Sequence, residues 1–272
     1  MAAVAASLVQ TDIGSVQVRR GGAGSPLVYL HSAGGEGDAL ALLDELAKSH
    51  DVIAPMFPGF GESEGIEQID DMEDAVYHLL DLFDRLELAA PAVFGLSLGG
   101  WMAAELATRY PERVGKLILA NPAGLYIKGA EIKDIFGRTP GEMAEDLFAD
   151  QSHPMAQMMH KMDKMIAGSG GMRGAIPFEM VKPQLQSMAA AARLAWDPYL
   201  HNPKLRKRLH RITAPTLVVR AAKDTLIPAA HAETYAREIP GAKFVEVPDA
   251  AHLIAVERPQ ELAAVVTDFL AG

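Results

Sequence analysis

A serine between two glycines, at the junction of a strand-like run and a helix-like run, most strongly constrains how this chain can fold. Residues 91–94 favour a buried strand, and the residues after Gly99 favour a helix. Gly95 and Gly99 suit a sharp turn around Ser97, because glycine tolerates strained dihedral angles and close backbone approach. We therefore expect Ser97 to project from the end of a strand at the edge of a sheet.

An aspartate and a histidine occupy corresponding positions after two later strand-like runs. Residues 215–220 predict a short buried strand that leads into Asp224, and residues 243–247 predict another that leads into His252. Serine, aspartate and histidine in this chain order indicate a serine nucleophile with a histidine base and a carboxylate partner. Asp249 is a second candidate acid, but its position next to His252 on one loop favours a turn residue.

The chain resembles the α/β-hydrolase superfamily along nearly its whole length. Besides the Gly-x-Ser-x-Gly stretch, segments similar to the superfamily's oxyanion loop, Pro-Gly-x-Gly-x-Ser loop and later motifs occur at residues 31–35, 58–63, 111–119 and 251–259. Ser32 departs from the usual glycine of the oxyanion loop, and Met56 stands where many members have aspartate. The resemblance implies an α/β-hydrolase fold: a mostly parallel eight-stranded sheet with helices on both faces and an inserted helical cap.

Apolar and amphipathic runs predict the order of the elements. Two antiparallel strands come first, and strands then alternate with helices, which is typical of a mainly parallel sheet. Strands are predicted near residues 8–12, 15–20, 27–31, 51–55, 91–95, 114–120, 215–220 and 243–247. Helices are predicted near residues 38–48, 68–87, 98–110, 229–238 and 259–270.

The connection from Asn121 to about Thr213 interrupts this alternation and is long enough to need structure of its own. We expect it to form a helical cap, residues 125–210, inserted into a core of residues 1–124 and 211–272. The cap would shape the substrate site, and the chemistry would come from the core.

Helix signals continue within the expected cap. Residues 139–142, Thr-Pro-Gly-Glu, predict a capped helix start, and further helices are predicted near 154–167 and 178–195. Between these two helices, the glycine-rich residues 168–174 are either a hinge or an ordinary surface connector.

Methionines recur at helical spacing in the expected cap and make one wide apolar face: Met155, Met158, Met159, Met162 and Met165. This face either packs between cap and sheet or lines an adaptable acyl pocket, since unbranched thioethers repack readily around ligands. Trp196 and Tyr199 either anchor the cap or face the pocket. The residues predicted to contact substrate are Ser32, Met158, Met162 and Trp196.

The predicted chemistry is acyl transfer to water. His252 takes the proton of Ser97 during attack and returns it to the leaving group, while Asp224 orients the imidazole. The oxyanion needs two preorganised donors. The backbone N–H of Leu98 begins the helix after the turn and is one, and the resemblance places the other at Ala33. These groups suffice without a cofactor, and the other histidines show no metal-ligand spacing.

Composition excludes several classes of function. A net charge of −10 argues against a nucleic-acid partner, because phosphate backbones are bound through basic patches. The chain has no cysteine, and therefore no disulfide or thiolate metal site. Neither a signal peptide nor an apolar run of about twenty residues is evident, so we expect a cytoplasmic protein without a membrane partner. A monomer and a homodimer are both compatible with the sequence.

Carboxylic-ester hydrolysis is the expected activity, with a small or medium-sized ester as substrate. The alternative is C–C bond hydrolysis of ring-fission products. Those enzymes typically have asparagine before the serine and tryptophan after the histidine, where this chain has Leu96 and Leu253. Amide and haloperoxidase-like activities stay open, and so does a ligand receptor of the same fold with little turnover, because fold alone does not determine chemistry.

Overall fold

The computed structural model describes residues 4–36, 40–168 and 177–272, and these residues form one eight-stranded sheet with helices on both faces. The strands are β1 (Ala5–Thr11), β2 (Gly14–Gly21), β3 (Pro26–Leu30), β4 (Asp51–Pro55), β5 (Ala92–Leu96), β6 (Lys116–Ala120), β7 (Thr216–Ala221) and β8 (Lys243–Val247). Their spatial order is β1-β2-β4-β3-β5-β6-β7-β8. β2 runs antiparallel to β1 and β4, and every other neighbouring pair is parallel.

The helices that flank the sheet are α1 (Ala41–Leu46), α2 (Met72–Arg85), α3 (Leu98–Arg109), α7 (Ala229–Glu238), α8 (Ile254–Glu257) and α9 (Pro259–Ala271). α2, α3 and α7 contribute buried residues to the core on one face, and α1, α8 and α9 contribute to the core on the other. The parallel strands are therefore covered on both sides, as βα crossovers require.

The middle strands are mostly apolar because both of their faces are buried. In β5, Val93 belongs to one core, while Phe94 and Leu96 belong to the other. This alternation follows from the two-residue period of a strand. Burying a side chain of this size stabilises the fold by about 1.5–3 kcal/mol, so the central strands fix the edge from which the functional loops emerge.

Three further helices lie between β6 and β7: α4 (Pro140–Leu147), α5 (Pro154–Gly168) and α6 (Phe178–Ala195). α4 begins with the expected capping box, since the Thr139 hydroxyl accepts from the Glu142 amide and the Glu142 carboxylate accepts from the Thr139 amide. α4 and α5 pack together around Ala144, Phe148 and Ala156, and Leu253 of the core joins this cluster.

The fold class expected from the sequence is confirmed, and most predicted elements begin and end within a few residues of the observed ones. α2 starts at Met72 rather than near residue 68, because the Asp71 side chain caps the helix by accepting from the Glu73 and Asp74 amides. Most of the glycine-rich segment at 168–174 lies outside the described residues. Across the described ranges, no helix has the length and apolar character needed to cross a membrane.

Candidate active site

Several functional side chains meet where the parallel strands end. Ser97 follows β5, Asp224 lies three residues beyond β7, and His252 lies five residues beyond β8. Because these strands run in one direction in one sheet, their carboxyl ends form a single edge. The Ser32–Ala33 turn follows β3 and reaches the same edge.

The turn at Ser97 is strained, as the flanking glycines suggest. Ser97 has φ +56° and ψ −112°, a region that a residue with a side chain rarely adopts. A Cβ atom at Gly95 would lie 2.2 Å from the Gly99 carbonyl oxygen, and one at Gly99 would lie 2.2 Å from the Leu30 carbonyl oxygen. Side chains are therefore sterically excluded at both glycines, and the turn brings the start of α3 against the end of β3.

Ser97, His252 and Asp224 form a continuous hydrogen-bonded chain. His252 Nε2 lies 2.9 Å from Ser97 Oγ, and His252 Nδ1 lies 2.8 Å from Asp224 Oδ2. A carboxylate can only accept, so Nδ1 carries the proton and the lone pair of Nε2 faces the serine hydroxyl. All three residues are buried: 6% of Ser97, 6% of Asp224 and 2% of His252 is exposed. The hydrogen bonds between them are therefore largely shielded from water.

Asp249, the other candidate acid, forms an ion pair with Lys223. Its carboxylate lies 2.6 Å from Lys223 Nζ, and the hydrogen bond from this ammonium lowers the pKa of Asp249. The residue is exposed and has φ +53°, a conformation that aspartate tolerates in turns. The structure therefore brings Asp224, and not Asp249, to His252.

The two residues expected to donate to an oxyanion lie on adjoining backbone segments. Leu98 is the first residue of α3, where an amide has no partner within the helix and the helix dipole favours negative charge. Ala33 lies in the turn after β3 and is 9% exposed.

His31 braces this turn, since its Nδ1 donates to the Ser32 carbonyl at 2.7 Å and its Nε2 accepts from the Phe57 amide at 3.0 Å. Burial lowers the pKa of His31, so the ring is neutral in this arrangement.

Ser32 is engaged within its own loop. Its amide and its hydroxyl both donate to the Glu36 carboxylate, and its hydroxyl accepts from the Gly34 amide at 3.1 Å. The side chain is buried. The serine that replaces the usual glycine therefore fixes the shape of the turn, and its hydroxyl proton is directed at Glu36.

Met158 and Trp196, two of the residues predicted to contact substrate, lie at exposed positions. Met158 is 55% exposed and Trp196 is 63% exposed, with the Trp196 ring packed beside Phe136. Of the five methionines of α5, only Met159 and Met162 are half-buried. The interpretation of this face as packing between cap and sheet is wrong for Met155, Met158 and Met165, because α5 packs against α4 and leaves these three exposed.

Asn121 is a site residue that the sequence interpretation missed. Its side-chain oxygen accepts from the Ala221 amide at 2.8 Å, and its amide nitrogen donates to the His252 carbonyl at 3.0 Å. It thereby links the end of β7 to the His252 loop. The available signal was a polar residue directly after a central apolar strand, at the edge that collects functional residues.

A separate cavity of about 190 Å³ lies beside residues 125–132, Tyr199, His201 and His231. His231 Nε2 lies 2.7 Å from the Ala130 carbonyl, and burial lowers the pKa of its ring. None of the residues that line this cavity belongs to the Ser97–His252–Asp224 chain.

Comparison with known families identifies the architecture. A family model described as alpha/beta hydrolase fold matches residues 25–259. A curated relative, 2-hydroxymuconate semialdehyde hydrolase from Pseudomonas sp. (strain CF600), is 30% identical over 260 residues, which are 92% of this chain and 88% of that protein.

A second relative is the dihydrolipoyllysine-residue acetyltransferase component of the acetoin cleaving system of Pseudomonas putida. It is 31% identical over 92% of this chain, and the match spans 64% of the relative's length. Among solved structures, a hydrolase from Pseudomonas aeruginosa PA01 matches with a TM-score of 0.72 and 26% identity, and the match covers 98% of each chain.

Proposed function

The chain belongs to the alpha/beta hydrolase fold family, and we propose that within it the chain is a serine hydrolase that cleaves carboxylic esters of small or medium-sized molecules. The observation that carries the proposal is the bond chain from Ser97 Oγ through His252 to Asp224, at 2.9 Å and 2.8 Å. A serine hydroxyl is a weak nucleophile at neutral pH, and this arrangement supplies the base that it needs.

In the proposed mechanism, Ser97 Oγ attacks the ester carbonyl carbon while His252 Nε2 takes the hydroxyl proton. The tetrahedral intermediate collapses, the C–O bond to the leaving alcohol breaks, and His252 returns the proton to that oxygen. Water then attacks the acyl-enzyme with His252 again as base, which releases the carboxylic acid and regenerates Ser97. Asp224 remains ionised and stabilises the imidazolium through the Nδ1–H bond.

The oxyanion of each tetrahedral intermediate is proposed to accept from the amides of Leu98 and Ala33. Leu98 contributes through the start of α3, whose dipole stabilises the developing negative charge. Ala33 is held by the turn that His31 and Ser32 brace. Loss of one such donor typically costs about 100- to 1,000-fold in kcat, so these amides supply a large share of the rate enhancement.

Ester substrates suit the surroundings of the triad. Leu96 is buried in the sheet, and Leu253 packs against Phe148 and Ala144 of the inserted helices, so the side chains next to Ser97 and His252 in sequence are apolar. An ester leaving group needs only a proton from His252. Cleavage of a ring-fission dienoate needs protonation at carbon and a partner for the substrate carboxylate, which requires further polar groups near the triad.

C–C bond hydrolysis is the second candidate, and the 30% identity to 2-hydroxymuconate semialdehyde hydrolase favours it. Two arginines bear on this alternative. Arg193 donates to the Ile69 carbonyl and pairs with Asp70, so it is already engaged. Arg173, an arginine of the inserted segment, lies outside the described residues.

The inserted residues 125–210 are proposed to act as a cap that selects the substrate and supplies no catalytic group. α4 contributes Ala144 to the cluster around Leu253, directly beside His252. Selection would then arise from the apolar surface that α4 and α5 place next to the triad.

The test measures kcat/KM for p-nitrophenyl acetate and butyrate, lactones, aminoacyl amides and a ring-fission dienoate. We expect multiple turnover of the nitrophenyl esters and little cleavage of the dienoate. Ser97→Ala and His252→Ala should each lower ester kcat by about a thousandfold or more with the far-UV circular dichroism spectrum unchanged, because the triad acts as a unit.

Three results would overturn parts of this proposal. Full activity of the Ser97 variant would exclude the mechanism. A dienoate kcat/KM well above that of every ester would make C–C hydrolysis the function. Stoichiometric binding without turnover would indicate a receptor of the same fold.

A further inference from the structure

The carboxylate of Glu257, the last residue of α8, joins the His252 loop to the inserted segment. Its Oε2 accepts from the Ala251 amide at 2.7 Å, and its Oε1 accepts from the amides of Ala149 and Asp150 at 2.8 Å and 3.0 Å. The Ala251 amide directly precedes His252 in the chain. One carboxylate therefore holds three backbone amides from two distant segments.

These bonds have a direct effect on the position of the histidine. Hydrogen bonds from amides to an ionised carboxylate are stronger than bonds between neutral groups, and they fix both partners in place. Removal of the carboxylate leaves three amide protons without this acceptor, which costs more than the bonds contribute when they are formed. The Ala251 amide would then lose this anchor, and the loop would keep the bonds from Asn121 to the His252 carbonyl and from the Lys223 amide to the Ala250 carbonyl.

The carboxyl-terminal side of His252 is attached to the same segment. The Leu253 amide donates to the carbonyl of Leu147, the last residue of α4, at 3.0 Å. The Leu253 side chain packs in the apolar cluster of Ala144, Phe148 and Ala156. His252 is thus bracketed by two connections, at Ala251 and Leu253, to the end of α4 and the residues after it.

The acid loop has a parallel connection to α4. The Thr225 hydroxyl, next in the chain to Asp224, donates to Asp146 Oδ1 at 2.8 Å. Asp146 is buried and also pairs with Lys133 and with Arg138, so it is held from several sides. α4 therefore contacts the loops of both partners of Ser97, and Glu257 adds a second connection between the histidine loop and the residues after α4.

We propose that Glu257 is a positioning residue that holds His252 Nε2 in line with Ser97 Oγ by tying the histidine loop to residues 149–150 after α4. The inference rests on the proposed serine-hydrolase function, and it adds that the inserted segment sets the geometry of proton transfer as well as the choice of substrate. A catalytic group that moves by about 1 Å can lose roughly 100-fold in rate, so a carboxylate that touches no substrate can control kcat.

Glu257→Gln is the test variant and Glu261→Gln is its matched control. Glutamine keeps the size of the side chain, but its amide nitrogen must face either Ala251 or the 149–150 amides, where two donors then meet. Glu261 lies at the start of α9, and its side chain is 58% exposed. Its carboxylate lies 4.0 Å from the Arg258 guanidinium, which is at the limit of an ion pair. Both variants remove one negative charge from the same region. Glu257→Asp is a second variant that keeps the charge and shortens the reach.

The first readout is the rate at which a fluorophosphonate labels Ser97, together with kcat and KM for p-nitrophenyl acetate. Glu257→Gln should lower the labelling rate and kcat by about 10- to 100-fold with KM within about twofold, because nucleophile activation is lost and ground-state binding is not. Glu257→Asp should fall between this variant and the wild type. Glu261→Gln should stay within about twofold of the wild type, as expected of an exposed charge.

The second readout is the low-field proton resonance of the His252 Nδ1–H bond to Asp224. It should be present in the wild type and in Glu261→Gln, and broadened or lost in Glu257→Gln. Unchanged labelling and an unchanged resonance in Glu257→Gln would overturn the inference. If the wild type neither labels nor turns over esters, the proposed function fails, while the resonance still decides whether Glu257 positions the histidine.

Discussion

The two carboxylate oxygens of Asp224 have different partners. Oδ1 accepts from the Leu226 and Ile227 amides at 2.9 Å and 3.0 Å, and Oδ2 faces His252 Nδ1. The amides fix the orientation of the carboxylate, so the oxygen that faces the imidazole cannot turn away. At the scale of single residues, the acid is therefore defined by its hydrogen bonds as well as by its nearness to the histidine.

Asp224→Asn should lower ester kcat by about three to four orders of magnitude. The asparagine oxygen would keep the two amide bonds, and its NH₂ group would face Nδ1, so the imidazole proton would have to move to Nε2. An Nε2–H cannot accept the serine proton. Steady-state kinetics, with circular dichroism as a check on folding, measure the effect.

Asp249→Asn is the control for this substitution. Asp249 is exposed and paired with Lys223, and asparagine tolerates its left-handed backbone. Its kcat should stay within about twofold of the wild type, as expected when an exposed ion pair is removed. A large loss in Asp249→Asn with little loss in Asp224→Asn would reassign the acid.

The sequence could predict Ser97, Asp224 and His252 because each follows a recognisable strand and carries a distinctive chemical group. It could not predict how Asn121 and Glu257 act, because their partners are backbone amides and carbonyls. The Glu257 carboxylate meets the Ala149 amide across 108 positions of the chain. Sequence patterns give the side chains, and only the fold brings such backbone groups together.

At the scale of elements, α6 packs on the loops of the core that border the triad. A Cβ atom at Gly59 would lie 2.8 Å from Ala190 Cβ, and one at Gly35 would lie 3.1 Å from Ser187 Oγ. Arg193 extends the contact by donating to the Ile69 carbonyl. α6 therefore depends on a close approach of small residues, and a larger side chain at the contact should separate it from the core.

Ala190→Leu should weaken this packing and Ala189→Leu should not. Ala190 packs against Gly59 and is only 2% exposed. Ala189 lies next to it on the same helix but is exposed, so a longer side chain there would extend into solvent. Overpacking at position 190 should destabilise the protein by about 1–3 kcal/mol. Thermal unfolding and hydrogen exchange of the α6 amides measure it, and equal effects of the two substitutions would exclude this account of how α6 is held.

The sequence predicted that α5 exists, but it did not predict what covers it. The methionine spacing specifies a helix with an apolar face, because i, i+3 and i+4 positions lie on one side. The spacing is silent about whether another element lies against that side. In the structure Ala156 and Met159 face the α4 cluster, and Met155, Met158 and Met165 remain exposed.

At the scale of the whole molecule, the burial of several histidines makes the stability of the folded protein sensitive to acid. Among the described histidines, His31, His78 and His231 are buried, and burial lowers the pKa of each ring. A neutral buried histidine destabilises the fold as the pH falls, because the unfolded chain takes up a proton that the folded protein resists. The free energy of unfolding is therefore highest above the pKa that histidine has in the unfolded chain. It falls as the pH drops from that value towards the lower pKa of the folded protein.

His78 on α2 gives the clearest case, since burial lowers its pKa from 6.5 to about 4. Above pH 6.5 neither state is protonated at this residue; between 6.5 and about 4 only the unfolded state is, so the free energy of unfolding falls across that interval. The full difference corresponds to about 3 kcal/mol, most of which is lost by about pH 4.5.

His78→Leu removes this titration and should flatten the pH dependence of stability. At pH 7 its free energy of unfolding should lie within about 1.5 kcal/mol of the wild-type value, because leucine fills a similar buried volume. Between pH 7 and about pH 4.5 the variant should lose about 2 kcal/mol less than the wild type, since the carboxylates that titrate in this range are common to both proteins. Urea unfolding at the two pH values gives the difference, and His210→Leu, at an exposed histidine, should follow the wild type. If His78→Leu lost as much stability as the wild type over this interval, His78 would not be the residue whose protonation limits the fold in acid.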